Sequence, residues 1–408
     1  EYANLGSTYE INIFAVNATV ANNKVGFDDL FGKTNFEDLI FSGNQPVNLR
    51  FDGEIYGPGI AYKLDKWAFA ITSKAYTKLD LVDVDPNIGD AVSTASISAL
   101  LNGTTTLNNG HNQRINGTSW GEIGFSAALN IFDDGKNKIS VGGTFKLLFP
   151  GSYANFGADR FTGTIHNNLG TVTLTDAHAN LNIAYSGKLG DNFTNFSDYT
   201  QSFFGRLNGI AADLGVNYRL DDETDTGNYR LNAGVSLRNL GGMTFKSANN
   251  SSTNYVLSIQ GLESLDLNQF QDVNNLKEVE NKLLASGYLN KTTNKATDFK
   301  VSLPTVFSAY ADVKIVPSVY ASVFVQQKLK DDDSNDQISY QNIISITPRY
   351  ALKNFEVWSA WSDNEISGIS GGLGLRFHGF YLGSGSIITN LVSDNKQADA
   401  YVGYGFGL

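Results

Sequence analysis

Gly368-Ile369-Ser370-Gly371-Gly372 has the G-x-S-x-G spacing of a serine nucleophile, a motif that works only where a strand turns sharply into a helix and lifts the hydroxyl clear. Alternating strand sequence surrounds it here, so an ordinary strand is expected. The four histidines, His111, His166, His178 and His378, show neither an i,i+4 partner nor the carboxylate neighbourhood of a zinc site. His178 and Asp176 can share a strand face and read as a solvated pair. The acidic runs Asp221-Asp222-Glu223 and Asp331 to Asp336 lack the glycine and glutamate spacing of a calcium loop, and read as solvated turns. No metal, cofactor or catalytic constellation is expected, and therefore no enzyme.

Most of the remaining chemistry resides in single charges set among apolar neighbours at a period of two. Successive strand side chains point to opposite faces, so strict alternation marks a strand with two different surroundings. In Ser318 to Leu329, the apolar Val319, Ala321, Val323, Val325 and Leu329 oppose Ser318, Tyr320, Ser322, Gln326 and Lys328. Ile139 to Phe149 and Val47 to Ile55 repeat the pattern. If the apolar set faces outward, the inward set includes Glu10, Arg50, Asp52, Glu54, Lys74, Glu122, Lys146, Asp213, Arg219, Arg230, Arg238, Asp312, Lys314, Lys328, Arg349, Arg376 and Asp399. Such mixed signs fit interlocking ion pairs better than a selectivity ring, which would gather one sign at one height.

The elements that must carry these charges are strands near 8–21, 47–64, 66–80, 119–132, 138–149, 208–220, 228–239, 299–315, 317–329, 338–352, 354–363, 367–377, 379–390 and 397–408. Fourteen strands, joined alternately by tight turns and long loops, predict an all-β fold: a transmembrane antiparallel β-barrel of the bacterial outer membrane. Tight turns such as Val316-Pro317 and His378-Gly379 would be periplasmic, with both termini. The long loops near 22–46, 81–118, 150–207 and 240–298 would be extracellular; later loops at 330–337, 364–366 and 391–396 are short. Thr171 to Tyr185 alternates again and predicts a hairpin above the membrane. One loop helix is expected near 262–285, with Leu265, Phe270, Val273, Leu276, Val279, Leu283 and Leu284 at helical spacing. A lid packed on its own loop is the plainer expectation; a surface for docking another protein, through Leu265, Phe270, Val273 and Leu276, is the sharper one.

Composition agrees. The 408 residues are 41% hydrophobic, 12% aromatic and only 17% charged, with 41 glycines and no cysteine. No apolar run approaches the roughly 18–20 residues of a spanning helix. A net charge of −11 without a basic cluster excludes a nucleic-acid partner. The whole chain, 1–408, reads as one barrel domain.

Tyr9-Glu10-Ile11-Asn12-Ile13-Phe14, Ile55-Tyr56-Gly57-Pro58-Gly59, Leu303-Pro304-Thr305, Ile346-Thr347-Pro348-Arg349-Tyr350 and the tail through Asn364-Glu365-Ile366-Ser367-Gly368 to Lys396-Gln397-Ala398-Asp399-Ala400-Tyr401 resemble an outer-membrane barrel family of Bacteroidota whose function is unknown. The resemblance covers most of the chain and implies an outer-membrane location without an activity. More distantly, Ser236-Leu237-Arg238-Asn239-Leu240-Gly241 closing the seventh strand looks similar to 14-stranded barrels of the FadL and PorV type. FadL members move hydrophobic compounds past an N-terminal plug, and PorV-like members assist secretion. Only seven residues precede the first expected strand, and the lumen is charged, which favours the second comparison. The leading expectation is a non-enzymatic subunit or adaptor of an outer-membrane complex for secretion, surface-protein handling or barrel assembly. Its partners would be outer-membrane lipid and other outer-membrane or surface proteins. The alternative is a FadL-like channel or transporter for small or amphipathic solutes.

Overall fold

The computed structural model describes residues 6–31, 35–92, 103–191, 204–225 and 227–408. Fourteen antiparallel strands form a closed ring. They are β1 (Tyr9–Asn22), β2 (Val47–Tyr56, resuming as Gly59–Leu64), β3 (Trp67–Val84), β4 (Asn112–Asp133), β5 (Asn137–Asn168), β6 (Gly209–Asp221) and β7 (Tyr229–Lys246). There follow β8 (Val306–Val316), β9 (Val319–Lys328), β10 (Ile343–Ala351), β11 (Phe355–Trp358 and Trp361–Asn364), β12 (Gly368–Gly371 and Leu373–Phe377), β13 (Phe380–Ser384) and β14 (Gln397–Gly407). The ring closes where β1 meets β14, from Glu10 opposite Gly407 to Ala21 opposite Gln397.

Alternation places the faces as the sequence requires. Trp67, Phe69 and Ile71 of β3 are exposed outward, while Ala68 and Ala70 between them are buried inward. Phe125, Phe145, Leu214, Val323 and Ile346 continue an apolar outer belt. One end carries tight turns. Asp65, Ser318 and His378 adopt positive φ there, and the Asp134 carboxylate accepts from the Lys136 and Asn137 amides. At this exposed turn those hydrogen bonds hold the Asp134 carboxyl below its usual range.

The other end is built up on one side. β4 runs for 22 residues and β5 for 32, well beyond the roughly 9–11 that cross a bilayer. Above the ring β5 exchanges β6 for a new neighbour, Thr171–Ser186, after a turn in which Leu169 and Gly170 both have positive φ. That pairing is the one suited to a two-residue hairpin. Ser251–Ser258 pairs with the far edge of Thr171–Ser186, and Gly103–Asn108 pairs with β5. Long polar loops expected at 81–118, 150–207 and 240–298 therefore contain much paired strand.

Three expectations need correction. The helix near 262–285 is confined to Leu276–Ala285, capped by the Asn275 side chain on the Glu278 amide. Upstream, Leu265 pairs in a strand with Leu174 and Phe270 lies in a short 3-10 turn, because the sheet edge there offers backbone partners that a helix would forgo. The expected strand 379–390 stops at Ser384, and Ile387–Val392 is a helical turn. Finally, the acidic run in 330–337 is solvated only in part: Asp331, Asp333 and Asp336 are exposed, whereas Asp332 and Gln337 are drawn into the barrel.

An arginine at Ile346, on the outer face near the middle of β10, is expected to cost roughly 2–4 kcal/mol of stability in lipid. Urea unfolding from vesicles measures it; a loss below about 0.5 kcal/mol would place this face outside the hydrocarbon.

Candidate functional site

Inside the ring the charges form paired groups at three heights. Nearest the tight turns, the Arg349 guanidinium donates to Glu356 (2.7 Å), Asp312 (2.5 Å) and the Tyr229 hydroxyl (2.7 Å). Arg376 donates to the second Glu356 oxygen at 2.7 Å, and Ser322 to Asp312 at 2.8 Å. The acidic turn expected to be solvated joins this layer: Lys314 reaches Asp222 (2.9 Å) and Asp225 (2.5 Å), and Arg219 reaches Asp221. Lys314 holds the Asp222 carboxyl far below its usual range.

At mid-height Lys146, buried, lies 2.9 Å from Asp213 and 3.7 Å from Glu122, and donates to Asn239. Tyr56 donates to Glu54 while its ring carries the Lys74 ammonium at 4.6 Å, and Arg238 donates to Gln326. Higher still, Lys78 pairs with Asp52, and Arg50 lies between Asp80 (3.5 Å) and Asp332 (3.2 Å). Asp399 accepts from the Gly385 amide. Of the inward charges expected from sequence, Arg230 departs: it is exposed at a break in register between Tyr229 and Leu231, which turns it out of phase with the strand.

The segment between β9 and β10, residues 329–342, crosses the lumen. Asp332 bridges Arg50 on β2 and Lys328 on β9, the latter at 2.7 Å. Arg114, fully buried on β4, donates to the backbone oxygens of Asp332 (2.8 Å) and Gln337 (2.7 Å). Asn112 and Tyr153 hold Asn335, and Gln341 donates to Asp52. Ile338 enters an inward apolar layer with Trp120, Leu148, Tyr153, Met243, Phe245 and Val301. Strap, ion pairs and apolar layer occupy the lumen at successive heights.

On the opposite, outward face of the raised wall lies a second site. Parity along β4 and β5 turns Asn116 and Asn155 inward but Ile115, Gly117, Ala154 and Phe156 outward, and helix Leu276–Ala285 covers that outward side. Beneath the cover is a cavity of about 420 Å³. Its floor includes Ala158, Phe161, Leu174, Leu181 and Leu257; its roof is Leu265, Leu267, Phe270, Val273, Leu276 and Leu283. The four residues considered for docking a partner thus turn toward their own sheet. The roof is pinned by Glu280, which sequence reasoning missed because a glutamate between apolar helical positions reads as solvent-facing. It is buried and accepts from both Tyr185 (3.0 Å) and Tyr255. Burial and the Glu280 carboxylate push the Tyr185 hydroxyl up to about 12.

Among the described residues no serine, histidine and acid come together. Ser370 is buried in β12 and shares a hydrogen bond with Ser362; His111 bonds the Asp83 carbonyl, and His166 bonds Thr104 and Thr175. Among the described residues no group of three or more histidines, cysteines or carboxylates could hold a metal ion.

Fold and lumen define a closed, outer-membrane type of β-barrel. The chain belongs to the family of unknown function DUF5723, which it matches over residues 4–385. Among solved structures it is similar to the Pseudomonas putida toluene transporter TodX (TM-score 0.44, 8% identity, covering 98% of this chain and 90% of that one). It is also similar to the monoaromatic hydrocarbon channel CymD (0.42, 10%, 100% and 90%) and to the translocator domain of the autotransporter NalP from Neisseria meningitidis (0.32, 7%, 97% and 88%). A search of curated proteins finds no match.

Glu280→Ala leaves two buried hydroxyls without their acceptor, at about 1–3 kcal/mol each. Limited proteolysis is expected to cut within 262–298 at lower protease concentration while the ring stays folded; an unchanged cleavage pattern contradicts the pinning role. In the unaltered protein the raised tyrosine value means that the pinning persists below the ordinary tyrosine range and is lost as pH rises toward about 12.

Proposed function

We propose that this protein is a non-enzymatic outer-membrane barrel, its termini periplasmic, that captures a small apolar or amphipathic compound at its long-loop end as a step in moving it across the membrane. The observation that carries this reading is the roofed apolar cavity. Its volume of about 420 Å³ falls within the roughly 300–1,000 Å³ usual for small-molecule sites. At about 30 Å³ per water-sized group, it accommodates a medium alkyl chain or one or two aromatic rings. Among the described residues its polar lining is Gln113, Arg114 and Gln271, and the Arg114 guanidinium is already bonded to Asn155 and the strap. Apolar contact therefore supplies the affinity, by exclusion of water rather than by charge.

The reading as a subunit of a larger complex drew its motive from the one-sided long loops and the loop helix, which offer a large extramembrane surface. The apolar face of that helix is the cavity roof, so the helix part of the motive is weakened. Binding of the uncharged dye N-phenyl-1-naphthylamine to the barrel in nanodiscs tests the proposal. Saturable binding is expected for the unaltered protein, and Leu174→Trp, which fills the floor, is expected to weaken it at least about tenfold, or about 1.4 kcal/mol. Equal binding by both, or no saturable binding, would falsify the reading.

A further inference from the structure

The lumen-crossing strap differs from the wall around it in how it is held. Wall strands share continuous backbone ladders, as β4 and β5 do from Asn112 opposite Asp159 to Asp133 opposite Lys138. The strap makes a single isolated bridge, Gln337 with Ser302. Its other cross-lumen ties are made by side chains, among them Arg50 to Asp332, Arg114 to two carbonyls, Asn112 to Asn335 and the Asp333 carbonyl, Tyr153 to the Asn335 carbonyl, and Gln341 to Asp52. Ile338 is the strap's contribution to the buried apolar layer. Asp331, Asp333 and Asp336 are exposed, so water already reaches this segment. A polar cavity of about 380 Å³ adjoins it, lined by Arg50, Asp83, Asn112, Lys328, Asp332 and Glu365 among others.

We propose that residues 331–338 form a gate, latched across the lumen by Asp332 and able to swing back toward β9 and β10 to open a polar passage. The latch is asymmetric in a way that suits this motion. Lys328, on the strap's own side, holds Asp332 at 2.7 Å and also pairs with Glu365 at 2.9 Å, whereas Arg50, on the far wall, holds Asp332 at 3.2 Å. On swinging, Asp332 keeps Lys328 and releases Arg50, which retains Asp80 and the Leu81 carbonyl. No carboxylate is stranded without a cation; Arg50, Asn112 and Asp332 line the polar cavity, which water can fill, and Arg114 keeps the Asn155 side chain. Without that compensation, separating a buried pair would be strongly disfavoured.

Gly157 on β5 provides the seat for the closed position. A Cβ there would lie 1.9 Å from the Asn335 side-chain oxygen, so a larger residue must push that side chain off its Asn112 and Asn155 donors, loosening the strap's seat without touching the latch itself. The inference goes beyond the ligand reading and does not rest on the apolar cavity, which lies on the other face of the wall.

Single-channel recording in planar bilayers tests the gate, with the compact unboiled band on a gel confirming a folded barrel. Gly157→Val and Asp332→Asn are each expected to raise open probability several-fold. The chain has no cysteine, so Asn112→Cys combined with Asn335→Cys introduces one possible disulfide; oxidised, this variant is expected to stay closed, and reductant to restore its openings. Replacing Asp331 to Asp336 by Gly-Gly is expected to give a constitutively open pore. The gate is overturned if that folded replacement conducts no better than the unaltered protein, or if the oxidised pair opens as often as the reduced one. Dye binding at the cavity is read separately, so failure of one proposal leaves the other standing.

Discussion

A sheet that crosses a bilayer must satisfy every backbone N–H and C=O within itself, since the hydrocarbon offers no partner. That requirement brings the first strand to the last: the register from Glu10 opposite Gly407 to Ala21 opposite Gln397 removes the two edges an open sheet would expose. Closure then separates the two faces. Outward positions meet lipid and become Phe, Trp, Ile, Leu and Val, while most polar or charged residues of the spanning strands turn to one confined interior. The low overall charge and the abundance of aromatics and glycine follow from the same division. Glycine serves where neighbours crowd: at Gly374, a Cβ would collide with the Trp358 ring, and at Gly403 with the Tyr381 ring.

Confinement makes charge pairing obligatory. Of the inward charges expected along the strands ten are basic and seven acidic, and with Arg230 turned out of phase nine basic ones remain. The structure meets that excess with acids the expected set lacked. Asp222 and Asp225 come from a tight turn, Asp221 from the end of β6, Asp80 from β3, Glu356 from β11, and Asp332 from the strap. The acidic turns and the strap are therefore electrostatic complements of the strands, although the net charge of the whole chain gives no hint of it. Mixed signs over the full height favour a sealed interior, with conduction dependent on what moves.

Much of the fold was legible because a period of two is enforced by the two environments of each strand. Val319 to Lys328 and Gln397 to Gly407 take the faces their alternation predicts. Legibility fails where local spacing has two solutions. Leu265, Phe270 and Val273 fit a helix by periodicity, yet the free edge of Thr171–Ser186 recruits Leu265 into a strand. The upper parts of β4, β5 and Thr171–Ser186 carry Asn116, Asn155 and Asn182, which read as loop residues. In place they hydrogen-bond side chain to side chain across the inner face, on to Asn254. Asp331 to Asp336 shows no periodicity and looks like a solvated turn, because its partners Arg50 and Arg114 lie more than two hundred residues away in the chain. Glu280 was invisible for a related reason: a carboxylate is buried only when donors such as Tyr185 and Tyr255 converge on it, and their convergence is a property of the sheet.

On the reading proposed above, the raised wall holds a small apolar molecule beneath its helical cover. Native mass spectrometry of the barrel, extracted from its own membrane in a mild detergent, tests it most directly. The account predicts one chain carrying a small apolar adduct that disappears when Leu257 is replaced by tryptophan. A bare chain, or a fixed-ratio assembly with another protein and no small molecule, would contradict it.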